Sequence, residues 1–406
     1  WVYKKWRPKK LGLLGFALAS ASIWTFREFL ANNFPYGGFP WSRLAMTQPG
    51  SFLNQWVYLG GLSLLSFMLA FFGSVLALWF LHRRGRNALS KLPALIALGS
   101  VVAVPLIILM LNNPTPVGQK TIAAVQGNAN AGLFSNLSRG TILDNHLSAS
   151  ELVFESPLSG EIDLMVWPEN ASDVDPLRDE TAAKKVDDLA ARVGAPFVFG
   201  TITSRGGESY NSTLLWRPGI GAVDYYDKTQ PVPFAEYVPD RAFWRFFAPE
   251  LIDLVPRGFS FGVTDGIYEV SEDFVAGSLI CFEIAEDSIQ RDLVAGGAQL
   301  ILSQTNNADF GYSDETFQQA GIAQLRAIET GRAVVNISTV GLSAIYLPTG
   351  EVLSELEWYQ PGAMVEQVPL FDHTTPAMVV GAGFDYLNGA VVIGLIALFR
   401  IRKTRR

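Results

Sequence analysis

Four apolar stretches, each long enough to cross a bilayer, constrain this chain more than any other feature. A helix crossing the hydrocarbon core needs roughly 20 predominantly apolar residues. Residues 11–30 (LGLLGFALASASIWTFREFL), 56–81, 92–111 and 377–399 each supply such a run. Arg27 and Glu28 make the first the weakest, Pro105 predicts a kink in the third, and Asp385 lies near the outer end of the fourth. Buried core helices are the other reading, but the second and third runs are too long and too pure for it. The whole chain is 49% hydrophobic and 17% charged, too apolar for an ordinary soluble protein.

The flanking charges set a threading. Basic clusters precede the first span (YKKWRPKK), follow the second (HRRGR) and follow the fourth (RIRKTRR), whereas residues 31–54 carry only Arg43. Basic residues stay on the cytoplasmic side. That places 31–54 and 112–376 outside, and 82–91 and the C-terminal tail inside. The chain opens on Trp1, without a starting Met or a cleavable signal pattern. The natural N-terminus is therefore expected upstream.

Residues 119–370 read as an α/β domain. Apolar strands are expected at 120–128, 162–170, 195–203, 274–281, 299–307 and 332–339. Hairpins are expected around Pro218-Gly219 and Pro348-Thr349-Gly350. The strand at 274–281 is apolar on both faces and so reads as central. Helices are expected at 179–194 and 314–331, each with an acidic start and a glycine stop. Strands alternating with helices and hairpins predict a layered sandwich.

Three strand ends carry chemistry. Glu169 follows LMVWP, Lys228 follows VDYYD, and Cys281, the only cysteine, ends AGSLI. Each has an ordinary reading: a helix cap or solvated acid, a surface lysine, a buried filler thiol. Together they form an acyl-transfer set. A thiol must lose its proton to attack a carbonyl, and a nearby base or cation lowers its pKa. A carboxylate can take that proton and return one, and an ammonium can hold an oxyanion. A helix starting after Cys281 would favour the thiolate further. His82, His146 and His373 lie away from the strand ends, so a Cys–His pair is not expected. With one cysteine and three histidines, neither a metal nor another cofactor is expected, and a net charge of −7 argues against nucleic acid.

The motifs WPEN, DKTQPVPFAEYVP and ICFE, with SQTNNADFG and QLRAIETGRAVVNISTVGLSAIYLPTG beyond them, resemble the carbon–nitrogen hydrolase, or nitrilase-like, superfamily. EFLANNFPYGGFPWSRLAMTQ and the surrounding spans resemble its apolipoprotein N-acyltransferase branch. The resemblance covers essentially the whole chain, minus upstream spans normal in that branch. It implies an α-helical transmembrane bundle (1–112, with a last span at 377–399 and a basic tail at 400–406) and an extracytoplasmic αββα domain at 113–370. It implies Glu169 as general base, Lys228 as oxyanion stabiliser and Cys281 as nucleophile, with Glu236 and Glu283 as supporting acids. The Phe282 N–H would share the oxyanion. One departure stands out: Asp309 occupies a position where the family commonly has an aromatic.

The resemblance implies transfer of a phospholipid acyl chain, through a Cys281 thioester, to the diacylglyceryl-cysteine of a lipoprotein at a bacterial plasma membrane. The implied partners are the phospholipid donor, the diacylated apolipoprotein, the bilayer, and a chain or segment supplying the upstream spans. A membrane-tethered amidase and a non-catalytic scaffold are the alternatives. Residues 241–262 crowd Phe243, Trp244, Phe246, Phe247, Phe259 and Phe261 into one loop, and Trp358 and Tyr359 sit in a smaller one. They read either as core packing or as arms for the lipid interface.

Overall fold

The computed structural model describes residues 12–81, 92–128, 137–255 and 258–404. The N-terminal basic cluster, the HRRGR cluster with His82, and the last two residues of the tail lie outside these. The chain divides into two compact units, residues 1–113 with 374–406, and residues 114–373.

The first unit is helical. Helices α1 (Gly12–Asn33), α2 (Trp56–Leu81) and α3 (Leu92–Leu111) carry windows long and apolar enough to cross a membrane. Glu28 is buried in α1 and is held by two donors, Trp24 Nε1 at 2.7 Å and the Leu44 amide at 2.9 Å. A carboxylate in an apolar helix is thereby used to pin the connection that follows. Helix α2 breaks at Gly60-Gly61, where Gly61 has φ 69°. By contrast, α3 runs through Pro105 as one helix. The expected fourth span at 377–399 is two pieces, because Gly381 (φ 52°) ends a short helix at Pro376–Val380 and a second runs Gly383–Thr404.

The second unit holds two six-stranded sheets. One is ordered β12-β1-β2-β3-β4-β5 and the other β11-β10-β9-β8-β7-β6. Their strands are β1 (Gly118–Gln126), β2 (Leu164–Val166), β3 (Phe197–Arg205), β4 (Glu208–Arg217), β5 (Gly221–Asp227), β6 (Ile267–Ser271), β7 (Phe274–Ile280), β8 (Leu300–Thr305), β9 (Ala333–Ser338), β10 (Ser343–Tyr346), β11 (Val352–Leu356) and β12 (Gly362–Leu370). Both sheets repeat one pattern, with two parallel pairs in the middle (β1-β2-β3 and β7-β8-β9) and antiparallel strands outside. One core lies between the sheets, joining Ile122, Leu164 and Val198 to Ala276, Leu300 and Val335. A second lies between the first sheet and its helices, with Trp167 and Phe197 packed against Leu143, Val186 and Leu189. Helices Asp287–Ala295 and Glu315–Thr330 serve the other sheet. The result is a helix–sheet–sheet–helix sandwich.

The strand expected to be central, β7, is second from the edge, with β6 beyond it. Edge strands β6 and β12 were not expected. In β6 only alternate residues are buried, and β12 carries Glu366, Gln367 and Pro369, which an edge tolerates.

Candidate active site

The ends of three strands deliver the three expected residues to one place. Past the end of β2 the chain runs through Pro168 to Glu169, and β3 lets it pass because residue 200 is glycine. A Cβ there would lie 2.6 Å from the Glu169 Cα and from the Pro168 carbonyl oxygen. Lys228 follows β5 directly, and Cys281 follows β7. Cys281 has φ 55°, a left-handed conformation that a non-glycine residue holds only when its surroundings impose it. The turn after it is a short 3-10 helix, Cys281–Ala285, and the α-helix begins only at Asp287. The thiol therefore does not sit at the start of an α-helix.

Lys228 is the centre of charge. It is almost fully buried, 2.9 Å from Glu236 Oε1 and 3.6 Å from Glu169 Oε1. Burial alone would pull its pKa down, but Glu236, Glu169 and the thiol outweigh it and leave it raised. Glu169 is 3% exposed, and burial, reinforced by the charge of Glu236, raises its pKa against the pull of Lys228. Glu169 and the Cys281 thiol each act on the other's ionisation. The thiol's pKa is not lowered: burial first, then the charge of Glu169, push it up to about 12 against the pull of Lys228. The site thus holds a neutral thiol near a buried glutamate.

Glu236 and Glu283 do different work. Glu236 accepts from Lys228, from Asn211 at 3.1 Å and from the Val232 amide at 2.7 Å. Glu283 is completely buried. Its Oε1 accepts from Tyr226 Oη, the Thr229 amide and hydroxyl, and the Gln230 amide at 2.8–3.0 Å, while Oε2 accepts from the Ile280 amide at 2.8 Å. It ties the loop after Lys228 to the strand end before Cys281, and burial raises its pKa. The Phe282 side chain is buried in the same 3-10 turn.

Sequence reasoning passed over two site residues. Asn211, on β4, donates its Nδ2 to Glu169 at 2.7 Å as well as to Glu236, and its carbonyl accepts from the Lys228 amide at 2.8 Å. Gln319, from helix Glu315–Thr330, points its Nε2 at the Cys281 sulfur at 3.5 Å. Neither ends a strand, and no charge marks it. His146 is enclosed against Trp167 and Gly127, and burial lowers it to about 4. Among the described residues, no group of three or more His, Cys, Asp or Glu is placed to hold a metal ion.

The aromatic residues are not core. Helix Arg241–Phe247 buries none of its side chains, and Phe246 and Phe247 are 82% and 65% exposed. Its arginines turn toward Asp253, with Arg245 bidentate at 2.9–3.1 Å, so the polar contacts stay within the arm and the rings face out. Trp244 meets Phe234, on the Glu236 loop, at 5.5 Å. Trp358 and Tyr359 cluster with Tyr312 and Phe317. Asp309 is exposed.

Residues 121–373 match the family model described as Carbon-nitrogen hydrolase, and residues 1–75 match that of the apolipoprotein N-acyltransferase N-terminal domain. An apolipoprotein N-acyltransferase of Mycolicibacterium smegmatis is 32% identical over 373 residues, spanning 84% of this chain and 61% of that protein. One of Pseudomonas syringae pv. tomato is 28% identical, spanning 93% and 73%. The chain thus covers about three fifths of the first relative's length. A solved cysteine-to-alanine mutant of a Nesterenkonia amidase from the nitrilase superfamily aligns with a TM-score of 0.50 at 19% identity, covering 68% of this chain and 98% of that one. That likeness speaks to fold alone. Matched over residues 121–373, more than half of its length, this chain belongs to the carbon–nitrogen hydrolase family.

Proposed function

We propose that this chain moves a fatty acyl group from a phospholipid to the α-amine of the N-terminal diacylglyceryl-cysteine of a lipoprotein, through a thioester on Cys281. The observation that carries the reading is one chain combining the buried Glu169 and Lys228 and the half-buried Cys281 with three helices of membrane-crossing length. Relatives named apolipoprotein N-acyltransferase support it.

Glu169 takes the thiol proton as sulfur attacks the ester carbonyl. Lys228 and the Phe282 N–H hold the oxyanion. The tetrahedral intermediate collapses, the C–O bond breaks, and the lysophospholipid leaves with the proton from Glu169. The lipoprotein amine then attacks the thioester. Glu169 accepts the amine proton and returns it to sulfur as the C–S bond breaks. Glu236 fixes Lys228, and Glu283 fixes the two loops that carry Lys228 and Cys281. The work is general acid–base and nucleophilic catalysis with a preplaced cation.

The exposed rings of residues 243–247, and the Trp358 cluster, are the lipid-facing elements in this reading. The domain at 113–370 lies on the extracytoplasmic side of a bacterial plasma membrane, following the charge asymmetry of the flanks. Holding it there lets a lipid-bound amine compete with water for the thioester.

The test uses the full chain in detergent with labelled phospholipid, followed by mass spectrometry of Cys281, with Cys281→Ala beside it. The expected result is an acyl adduct on Cys281 that transfers to a diacylated lipopeptide. No adduct would sink the mechanism, and an adduct released only as free fatty acid would leave a hydrolase.

A further inference from the structure

Besides the charges of Glu169 and Lys228, Cys281 meets an uncharged side chain. Gln319 is 1% exposed and its Nε2 lies 3.5 Å from Sγ. An amide can present either its oxygen or its nitrogen, so the orientation must be read from the network around it. Asn307, 2% exposed, decides it. Its Oδ1 accepts from the Thr305 hydroxyl at 3.0 Å and from the Ser338 hydroxyl. The Ser338 hydroxyl oxygen in turn accepts the Gly341 amide at 2.9 Å, which leaves its proton for Asn307. With Oδ1 occupied by two donors, Asn307 Nδ2 must donate, and it does so to Gln319 Oε1 at 2.5 Å. The nitrogen of Gln319 is therefore the end that faces sulfur. Gly341 keeps the chain closed, because a Cβ there would lie 2.2 Å from Asn307 Oδ1.

We propose that Gln319 is a catalytic hydrogen-bond donor to the Cys281 sulfur, held in register by the buried Ser338–Asn307 chain. This rests on Cys281 being the acyl carrier. Its bond is weak to a neutral thiol or a thioester and strengthens as negative charge gathers on sulfur. That charge appears twice. It develops as Glu169 removes the thiol proton, and again when the amine-derived tetrahedral intermediate collapses and the C–S electron pair returns to sulfur. The charged groups acting on the thiol are Glu169, Lys228 and Glu236. Lys228 is engaged by two carboxylates, so it cannot serve the carbonyl oxygen and the sulfur alone. Gln319 takes the sulfur and leaves the ammonium to the oxyanion.

The test is iodoacetamide alkylation of Cys281 in the detergent-solubilised full chain at pH 8.5, followed by intact-mass spectrometry. Gln319→Met keeps length and removes the donor. Gln319→Glu keeps shape and the acceptor for Asn307 but puts an anion against sulfur. The expected order of rates is wild type, then Met about tenfold slower, then Glu slower still. A purely structural role predicts the reverse order for the variants, because Glu preserves the Asn307 bond and Met does not. Equal rates for Met and wild type, or Glu faster than Met, would overturn the proposal. Alkylation needs no acyl donor, so failure of the acyl-transfer reading leaves this order measurable.

Discussion

Replacing Asn211 with Leu, close in size but without polar atoms, isolates the most informative interaction in the site. In the native protein its Nδ2 donates to Glu169 at 2.7 Å and to Glu236 at 3.1 Å. Glu236 keeps Lys228 and the Val232 amide after the change. Glu169 does not fare as well, since its lysine contact is 3.6 Å and no other donor to it remains but the thiol that, on the proposed mechanism, it deprotonates. A hydrogen bond to a charged group contributes about 1.5–3 kcal/mol, and about 1.4 kcal/mol is a factor of ten in ionisation. Glu169 already has a raised pKa, and losing a donor to its ionised form raises it further. The ionised base is therefore depleted most at low pH. Thioester formation should fall at least about tenfold at the acid end of the profile and recover as pH rises. The same lost bonds should lower stability by about 1.5–3 kcal/mol where Glu169 is ionised, and by less toward low pH, where its carboxyl is protonated and the bonds to it matter less. The assay is single-turnover acylation across pH, read by mass spectrometry, beside a thermal melt. A loss of equal size at every pH would refute the argument, because it would mean Asn211 does not act through the ionisation of Glu169.

Glu283→Gln turns one carboxylate oxygen into a donor facing other donors. It should cost about 2–4 kcal/mol in stability and abolish adduct formation, both measurable on one preparation. At Cys281, where φ is 55°, a glycine is free of the left-handed penalty, so Cys281→Gly should melt no lower than Cys281→Ala although both are dead. Gly200→Ala forces a methyl to within 2.6 Å of the Glu169 backbone, so a loss of about 1–3 kcal/mol together with lost acylation is expected by melting and single-turnover assay. Phe246→Glu with Phe247→Glu should slow acylation from phospholipid vesicles but not from a soluble short-chain ester, and equal slowing on both would remove the lipid-facing role of the arm.

What the sequence made legible was whatever lay at the end of an apolar strand with a distinctive side chain. Glu169, Lys228 and Cys281 each follow such a run, and the fold brings all three into one cluster. The hairpins at Pro218-Gly219 and Pro348-Thr349-Gly350 and the helices stopped by Gly194 and Gly331 were legible for a related reason, because turn and cap residues carry local conformational preference. Asn211 and Gln319 were not legible. Each sits inside a regular element among similar polar residues, and its role comes from a neighbour far away in the chain. The break at Gly381 was hidden by a hydropathy that averages across it. The thiol's raised pKa was misjudged because proximity to a lysine was counted without burial and without the two carboxylates that share that lysine.

That sharing explains how a buried site can use an ion at all. Lys228 stands alone against Glu169 and Glu236, so a thiolate added to the cluster would be a third anion for one cation. In a medium of low dielectric such an excess is costly, which is why both the thiol and Glu169 have raised pKa values. Passing the thiol proton to Glu169 avoids the excess, because one anion appears as another disappears and the total charge of the cluster stays fixed. The same exchange run backward protonates the leaving group. In the proposed mechanism both half-reactions need only an internal proton shift, with Lys228 charged throughout. On that proposal Cys281 rests as a thiol and is unmasked only while a carbonyl is there to receive it.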